Sequence, residues 1–449
     1  MKNSPRSLAS HVLTRIEEER AFAEPLLDSF LSRNILALQK DRNLCTQLVY
    51  GTLRMRNRID WILRTFYKGD YESMERGLKN ILRVALYQII FTDRIPSYAA
   101  VDEAVKITKE EYSGRDRLVN GILRNALRKM DEIQYPRFDE DPERHISLYH
   151  SHPLWLVRKW MRELGAEETH KLCRSNNEIP PLTLRVNELK MTRSEVIEKF
   201  SAEGVEAGPT MISPDGVEVS GLSVPPGEMA LFKAGMFQFQ DEASQLVSYL
   251  LNPKPGDRVL DLCAGSGIKT THMAALMKNR GTILALDIQG KKLSSLKTMS
   301  RRMGASIIDC MTGDAAEDLG ERYHGKFDRV LVDAPCSGLG TVRRKPEIKW
   351  HTTKKAIENM ATLQKKILNR SASYLTKGGI LAYSTCTIAY EENEEIVRDF
   401  LETNKEFRCG RPSGASLNDM INDEGFFRTY PHRHGTDGFF GALLVKEEA

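Results

Sequence analysis

Of 449 residues only seven are cysteine, and no two of them form a Cys-x-x-Cys pair. A disulfide framework and a thiol-paired zinc module both lack their raw material, so reduced thiols, most of them buried, are expected. Also missing is any run near the roughly 18 apolar residues of a membrane span. The opening stretch Met1-Lys2-Asn3-Ser4-Pro5-Arg6 leads into no apolar segment of the signal-peptide kind. A soluble, cytoplasmic, monomeric protein with no membrane partner is expected. There is little excess charge of either sign: 65 Lys and Arg stand against 61 Asp and Glu, a formal net charge of +4. Such a balance permits nucleic-acid binding without demanding it, because a basic face can sit within a nearly neutral total. Internal repeats and low-complexity tracts are absent. The length exceeds one ordinary core, which predicts two or three domains.

What is present changes character twice along the chain. Up to about Lys129 the pattern is helical: Leu78, Ile81, Leu82, Ala85, Leu86 and Ile89 recur at three- and four-residue steps, as do Val119, Ile122, Leu123 and Leu127. Arg117, Arg124, Arg128 and Lys129 surround the second set, either as a solvated helix face or as a nucleic-acid contact. Pro136, Asp139, Asp141 and Pro142 break the periodicity. These signals predict a helical domain over 1–138 and a small α+β connector over 145–233. The connector carries a helix around Trp155 to Arg162, a strand at Leu182 to Val186 and a helix after Thr192. Over 234–449, strand-like runs alternate with helices, beginning with a helix capped by Asp241. The strands are expected at Arg258–Asp261, Thr282–Asp287, Ser306–Ile308, Asp328–Val332 and Gly379–Tyr383. Near-continuous apolar strands separated by helices predict a mainly parallel, Rossmann-like sheet covered on both faces. Ligands bind such sheets at the carboxyl ends of the strands, where Asp261, Asp287, Asp333 and Cys386 would gather.

Three segments carry chemistry. In Cys263-Ala264-Gly265-Ser266-Gly267-Ile268-Lys269, two glycines let the backbone turn out of a strand and approach a ligand. Asp287 ends the next strand, where an acidic side chain accepts ribose hydroxyls. A phosphate-loop reading of Lys269-Thr270-Thr271 fails, because Ile268 stands where that loop needs glycine. Asp314 suits either an adenine amino group or a plain helix cap. Cys336, in Asp333-Ala334-Pro335-Cys336-Ser337-Gly338, and Cys386, in Ser384-Thr385-Cys386-Thr387, each follow a strand-like run. Either thiol alone reads as a small buried hydrophobe, whereas two at strand ends in one cofactor-binding sheet read as catalytic. Pro335 fixes the local backbone and is expected to leave nearby carbonyls free for a ligand. His432 and His434 read as a surface loop, since partner cysteines and an HExxH pattern are missing, and no metal is expected. The run Arg343-Arg344-Lys345 reads equally as solvated charge or as a contact to RNA phosphates.

These motifs, with Gln240-Asp241-Glu242-Ala243-Ser244, Arg343-Arg344-Lys345-Pro346-Glu347-Ile348-Lys349-Trp350 and Gly435-Thr436-Asp437-Gly438-Phe439-Phe440, resemble the bacterial Sun family of RNA cytosine-5 methyltransferases. Ile95-Pro96-Ser97 and Val119 to Asn125 make the helical domain similar to NusB, an RNA-binding protein. The resemblance spans nearly the whole chain. It implies S-adenosylmethionine as cofactor and RNA as partner, small-subunit ribosomal RNA above all. It also implies roles: Cys386 as the nucleophile adding to cytosine C6, Asp333 holding the N3 and N4 edge, and Cys336 assisting removal of the C5 proton and release of the enzyme. The cofactor would meet Cys263, Ala264, Gly265, Ser266, Gly267, Ile268, Lys269, Asp287, Asp314 and Asp333. One departure stands out: Ile268 replaces the family's usual glycine, which would strain the loop if that position required positive φ. Two rival functions are a catalytically silent RNA-binding or assembly factor and a DNA cytosine-5 methyltransferase, whose nucleophile lies in the Pro-Cys motif.

Overall fold

The computed structural model describes residues 4–32, 36, 38–93, 95–222, 224–412 and 415–448, so that Met1, Lys2 and Asn3 of the opening stretch lie outside the described residues. It forms two compact units, Met1–Glu178 with Val342–His351, and Ile179–Thr341 with Thr352–Ala449. Among the described residues no helix is long and apolar enough to cross a membrane.

The first unit is all helical: α1 (Pro5–Glu19), α2 (Ala23–Leu31), α3 (Gln39–Phe66), α4 (Arg76–Phe91), α5 (Ser97–Glu111), α6 (Asp116–Arg128), α7 (Pro142–Tyr149), α8 (Leu154–Leu164) and α9 (Ala166–Ser175). The Ser4 hydroxyl accepts from the Ser7 amide at 3.1 Å and Pro5 opens the first turn, both favourable at a helix start. The predicted stripe of α4, from Leu78 to Leu86, is buried. In α6 the residues Val119, Ile122, Leu123 and Ala126 face the core, while Arg117, Arg124, Arg128 and Lys129 are exposed. The helical turn α15 (Ile348–His351) completes this unit: Trp350 Nε1 donates to the Leu53 carbonyl at 2.8 Å and Lys349 Nζ to that of Arg54 at 2.9 Å. The neighbouring basic run is therefore not the uniform surface cluster expected. Arg343 is buried at 5 % exposure, and only Lys345 of the three is exposed.

The second unit opens with a four-stranded antiparallel sheet, ordered β2-β3-β1-β4, from β1 (Leu182–Val186), β2 (Glu206–Pro209), β3 (Gly216–Ser220) and β4 (Phe237–Phe239). Helix α10 (Arg193–Ala202), started by a reciprocal Thr192–Glu195 capping box, and the short α11 (Ala230–Lys233) accompany it. Alternation along β1 sends Leu184 and Val186 into the small core with Phe200 and Phe237, and Arg185 to the other face.

Next come α12 (Glu242–Leu251), β5 (Arg258–Asp261), α13 (Ile268–Leu276), β6 (Thr282–Asp287), α14 (Gly290–Met303), β7 (Ile308–Thr312), β8 (Phe327–Asp333), α16 (Lys354–Ser371), β9 (Leu375–Thr385), α17 (Glu394–Thr403), β10 (Phe407–Gly410), β11 (Phe427–Arg428), α18 (Pro431–His434) and β12 (Phe440–Lys446). Asp241 caps α12 as expected, accepting from the Ala243 amide at 2.9 Å. The large sheet runs β10-β12-β9-β8-β5-β6-β7, with β11 paired to β12. Strands β5 to β9 are mutually parallel, and β12 and β10 add an antiparallel edge. Successive residues feed two cores: Val330, Val332, Leu381 and Tyr383 pack on one face with residues of α16 and α17, and Leu331 and Ala382 on the other with α12 and α13. The strand expected at Ser306–Ile308 begins only at Ile308, because the preceding residues close the turn from α14. His432 and His434 lie in the helical turn α18 rather than a loop, with His434 Nδ1 accepting from the Tyr430 amide at 2.9 Å.

Candidate active site

Chain order reverses between β5 and β8, so their carboxyl ends diverge into a crevice. The strand ends deliver Asp261 from β5, Asp287 from β6, Asp333 from β8 and Thr385 from β9.

The loop after β5 is shaped by its glycines. Gly265 and Gly267 take positive φ (58° and 89°), and a Cβ on Gly267 would lie 2.4 Å from Leu296. Ile268 has no positive φ: it begins α13, and Gly267 before it carries the left-handed turn. The departure from the family's glycine therefore brings no backbone strain. Asp287 ties the loop to β6, one carboxylate oxygen accepting from the Gly265 amide at 3.0 Å and the other from Gln289 at 2.8 Å. Arg185 from the small sheet, 1 % exposed, secures the loop's far end by donating to the Ile268 carbonyl at 2.6 Å, to Thr271 Oγ1 at 3.1 Å and to Gln240 Oε1. Burial pulls its guanidinium pKa down to about 9. Sequence reasoning missed this role. Its one signal was an arginine among the apolar positions of a predicted strand.

Asp261 is buried beneath the same loop. Its Oδ2 accepts from Thr270 Oγ1 at 2.7 Å, while Oδ1 has no partner among the described residues. Burial, then the nearby Asp333 charge, raises its pKa to about 7. A loop with open space beside Gly265, an acidic residue on the neighbouring strand and an unpartnered buried carboxyl oxygen together fit a nucleoside-bearing cofactor with a polar amino-acid part. Asp314 is exposed and accepts from the Ala316 amide at 2.9 Å, closing a turn rather than capping a helix. Burial also pushes the Cys263 thiol well above its ordinary range.

Across the crevice the two predicted cysteines meet, with Cys336 Sγ 3.3 Å from Cys386 Sγ. The hydrogen bond to Cys386 and then burial hold the Cys336 thiol well above its ordinary pKa, so Cys336 keeps its proton. Asp333 lies between the loop and the thiols, accepting from Lys269 Nζ at 2.6 Å and from Ser384 Oγ at 2.8 Å. Burial works against the Lys269 charge, but the Asp333 carboxylate more than offsets it and raises the lysine pKa. The Pro335 carbonyl is not free for a ligand, because Gln364 Nε2 donates to it at 2.8 Å.

The residue that fixes the thiols' spacing is one the sequence reading passed over. Glu392, fully buried, accepts from the Ser337 amide at 2.8 Å, Gln364 Nε2 at 3.0 Å, Thr387 Oγ1 at 3.3 Å and the Ser337 hydroxyl. It thus ties the residue after Cys336 to the residue after Cys386. Close backbone approach adds to this, since the Gly340 amide donates to the Cys386 carbonyl at 3.0 Å and a Cβ on Gly340 would lie 1.8 Å from the Gly438 carbonyl.

Comparison with known proteins agrees with this architecture. A model of the 16S rRNA methyltransferase RsmB/F family matches residues 248–445, a NusB family model matches 3–128, and a model of the ferredoxin-like domain of RsmF/B-like methyltransferases matches 152–223. The chain is 37 % identical to the probable ribosomal RNA small subunit methyltransferase B of Bacillus subtilis (strain 168), over 99 % of both chains. It is 32 % identical to that of Synechocystis sp., again over 99 % of both. Among solved structures it is similar to PH0851, with a TM-score of 0.81 at 29 % identity, covering 98 % of this chain and 99 % of that one. With similarity at this level along its whole length, the chain belongs to the RsmB/F family of 16S rRNA methyltransferases.

Proposed function

We propose that the protein transfers a methyl group to C5 of a cytosine in RNA, small-subunit ribosomal RNA above all, through a covalent adduct between Cys386 and cytosine C6. S-adenosylmethionine is the cofactor, and when bound it supplies an electrophilic methyl group. The observation that carries the reading is the pair of thiols 3.3 Å apart beside the Lys269–Asp333 ion pair at the strand ends. Cytosine C5 is a poor nucleophile until a thiolate adds to C6 and makes it enamine-like. Cys386 is assigned that addition. Cys336, protonated and hydrogen-bonded to it, stabilises negative charge on the attacking sulfur. Asp333 receives the N3 and N4 edge and relays to N3 the proton that Cys386 loses as its sulfur adds to C6, while Lys269 compensates the carboxylate charge. After methyl transfer, the S–C6 bond pair leaves on the Cys386 sulfur, Cys336 hands that sulfur its own thiol proton and takes the C5 proton in its place, and N3 gives up its added proton through Asp333. A base within a stack must be flipped out or already unpaired to reach these groups.

The loop from Cys263 to Lys269 would surround the methionine part of the cofactor, with Asp287 accepting ribose hydroxyls and Asp314 meeting the adenine amino group. The rival of a silent factor rested on strain at Ile268, which an ordinary helical φ removes. Bisulfite sequencing of small-subunit ribosomal RNA from cells with and without the gene tests the reading: one protected cytosine should become convertible when the gene is deleted. Identical protection patterns would refute it.

A further inference from the structure

In the first unit three histidines converge, none of them assigned a role above: His145 in α7, His150 at that helix's C-terminus and His170 in α9. One ring nitrogen from each lies within 4.8 Å of the other two. The ring centroids of His150 and His170 are 4.7 Å apart, those of His145 and His170 5.8 Å. Two features go beyond chance crowding. His145 Nδ1 is 2.8 Å from the Pro136 carbonyl, which accepts a hydrogen bond from Nδ1–H and so leaves Nε2 as a lone-pair donor. That is the outer arrangement that orients a metal-bound imidazole. His150 is 9 % exposed, and its Nε2 is buried with no hydrogen-bond partner among the described residues. An orphan ring nitrogen beside two other imidazoles lacks a bond that a metal ion would supply.

We propose that His145, His150 and His170 form a binding site for a first-row divalent transition metal of the imidazole-binding class, such as zinc or cobalt. Tetrahedral bonds of about 2.0–2.1 Å put ligand nitrogens roughly 3.4 Å apart, so the rings must draw together by up to about 1.4 Å. His170 is partly exposed and can make that movement by rotation, guided by the stacked ring of Phe138 at 4.8 Å. A hard ion such as Mg²⁺ is not favoured, because no carboxylate belongs to the set. With three protein nitrogens, further coordination positions fall to water. The ion would then clasp α7 to α9, and its binding to the folded chain alone would stabilise the fold by mass action.

The test uses the full-length chain carrying Cys336→Ser and Cys386→Ser, which removes the paired thiols as a competing site, stripped with chelator and titrated with Co²⁺. The expected result is one equivalent bound, with visible bands of low-coordinate nitrogen ligation, displaced by Zn²⁺. In the same background His170→Ala and His145→Ala should weaken binding by more than roughly 10- to 100-fold, the loss typical of removing only an outer partner of a ligand. His170 is partly exposed, so its variant should keep the parent's circular dichroism, and Zn²⁺ should raise the parent's melting temperature but not the variant's. No saturable binding, thiolate charge-transfer bands in place of nitrogen ligation, or equal affinity in the folded His170→Ala protein would each overturn the proposal.

Discussion

Replacing Glu392 by alanine should damage stability and catalysis together, because this carboxylate connects the two cysteine loops. Four donors lose their acceptor: the Ser337 amide and hydroxyl, Thr387 Oγ1 and Gln364 Nε2. The two hydroxyls are already 2.8 Å apart and can satisfy each other. The Ser337 amide cannot, and the fully buried Gln364 amide keeps only its bond to the Pro335 carbonyl and loses the other, and an unsatisfied buried donor costs about 1–3 kcal/mol. Partly offsetting this, the variant no longer buries a carboxylate whose pKa burial already raises. The net loss should be about 3 kcal/mol, equivalent to a fall in Tm of roughly 6–12 °C for a unit of this size. Freed of their tie, the two thiols should drift from their 3.3 Å spacing, and a misplacement of about 1 Å can cost roughly 100-fold in rate. Thermal denaturation and single-turnover methyl transfer measure the two effects. Glu392→Gln keeps one acceptor oxygen and should fall between. An alanine variant that melts within a degree of the parent and transfers methyl at the parent's rate would refute the argument that Glu392 sets the site.

Asp261 predicts a pH dependence: its folded pKa, raised from 3.8 to about 7, means the native state holds a proton that the unfolded chain releases, so stability should fall as pH rises from about 4 to 7. The contribution is up to roughly 4 kcal/mol, and Asp261→Asn should remove it; urea unfolding of both proteins at pH 5 and pH 8 checks the sign. The exposed arginines of α6 should contribute RNA affinity by counterion release, so replacing Arg117, Arg124 and Arg128 with alanine should flatten the slope of log affinity against log salt by roughly 2 to 3. Equal slopes would assign that face to another role.

Where periodicity and burial coincide, the sequence was a sufficient guide. The strands Arg258–Asp261 and Thr282–Asp287 followed directly because a parallel strand covered on both faces reads as a near-continuous apolar run, and the stripe of α4 because its apolar residues recur at helical three- and four-residue steps. The cysteine pair was legible because each thiol follows an apolar strand, and parallel pairing of β8 with β9 brings the strand ends together. Interactions between distant segments were not legible. Nothing in Leu182 to Val186 tells that Arg185 reaches across to the Ile268 carbonyl. Nor does local sequence tell that Glu392 accepts from Ser337, 55 residues away. Charge patterns misled at Arg343, since a basic run reads as surface until tertiary packing buries it. The same limit hid the histidine cluster, whose third member comes from a different helix.

The division of labour between the two thiols is tested most directly by denaturing gel electrophoresis of protein and substrate RNA after reaction with S-adenosylmethionine. Cys336→Ala should form the C6 adduct and release it slowly, leaving a denaturation-resistant protein–RNA band. Cys386→Ala should give neither that band nor methylated RNA. A band with Cys386→Ala and none with Cys336→Ala would reverse the roles and place the nucleophile in the Pro335-Cys336 motif.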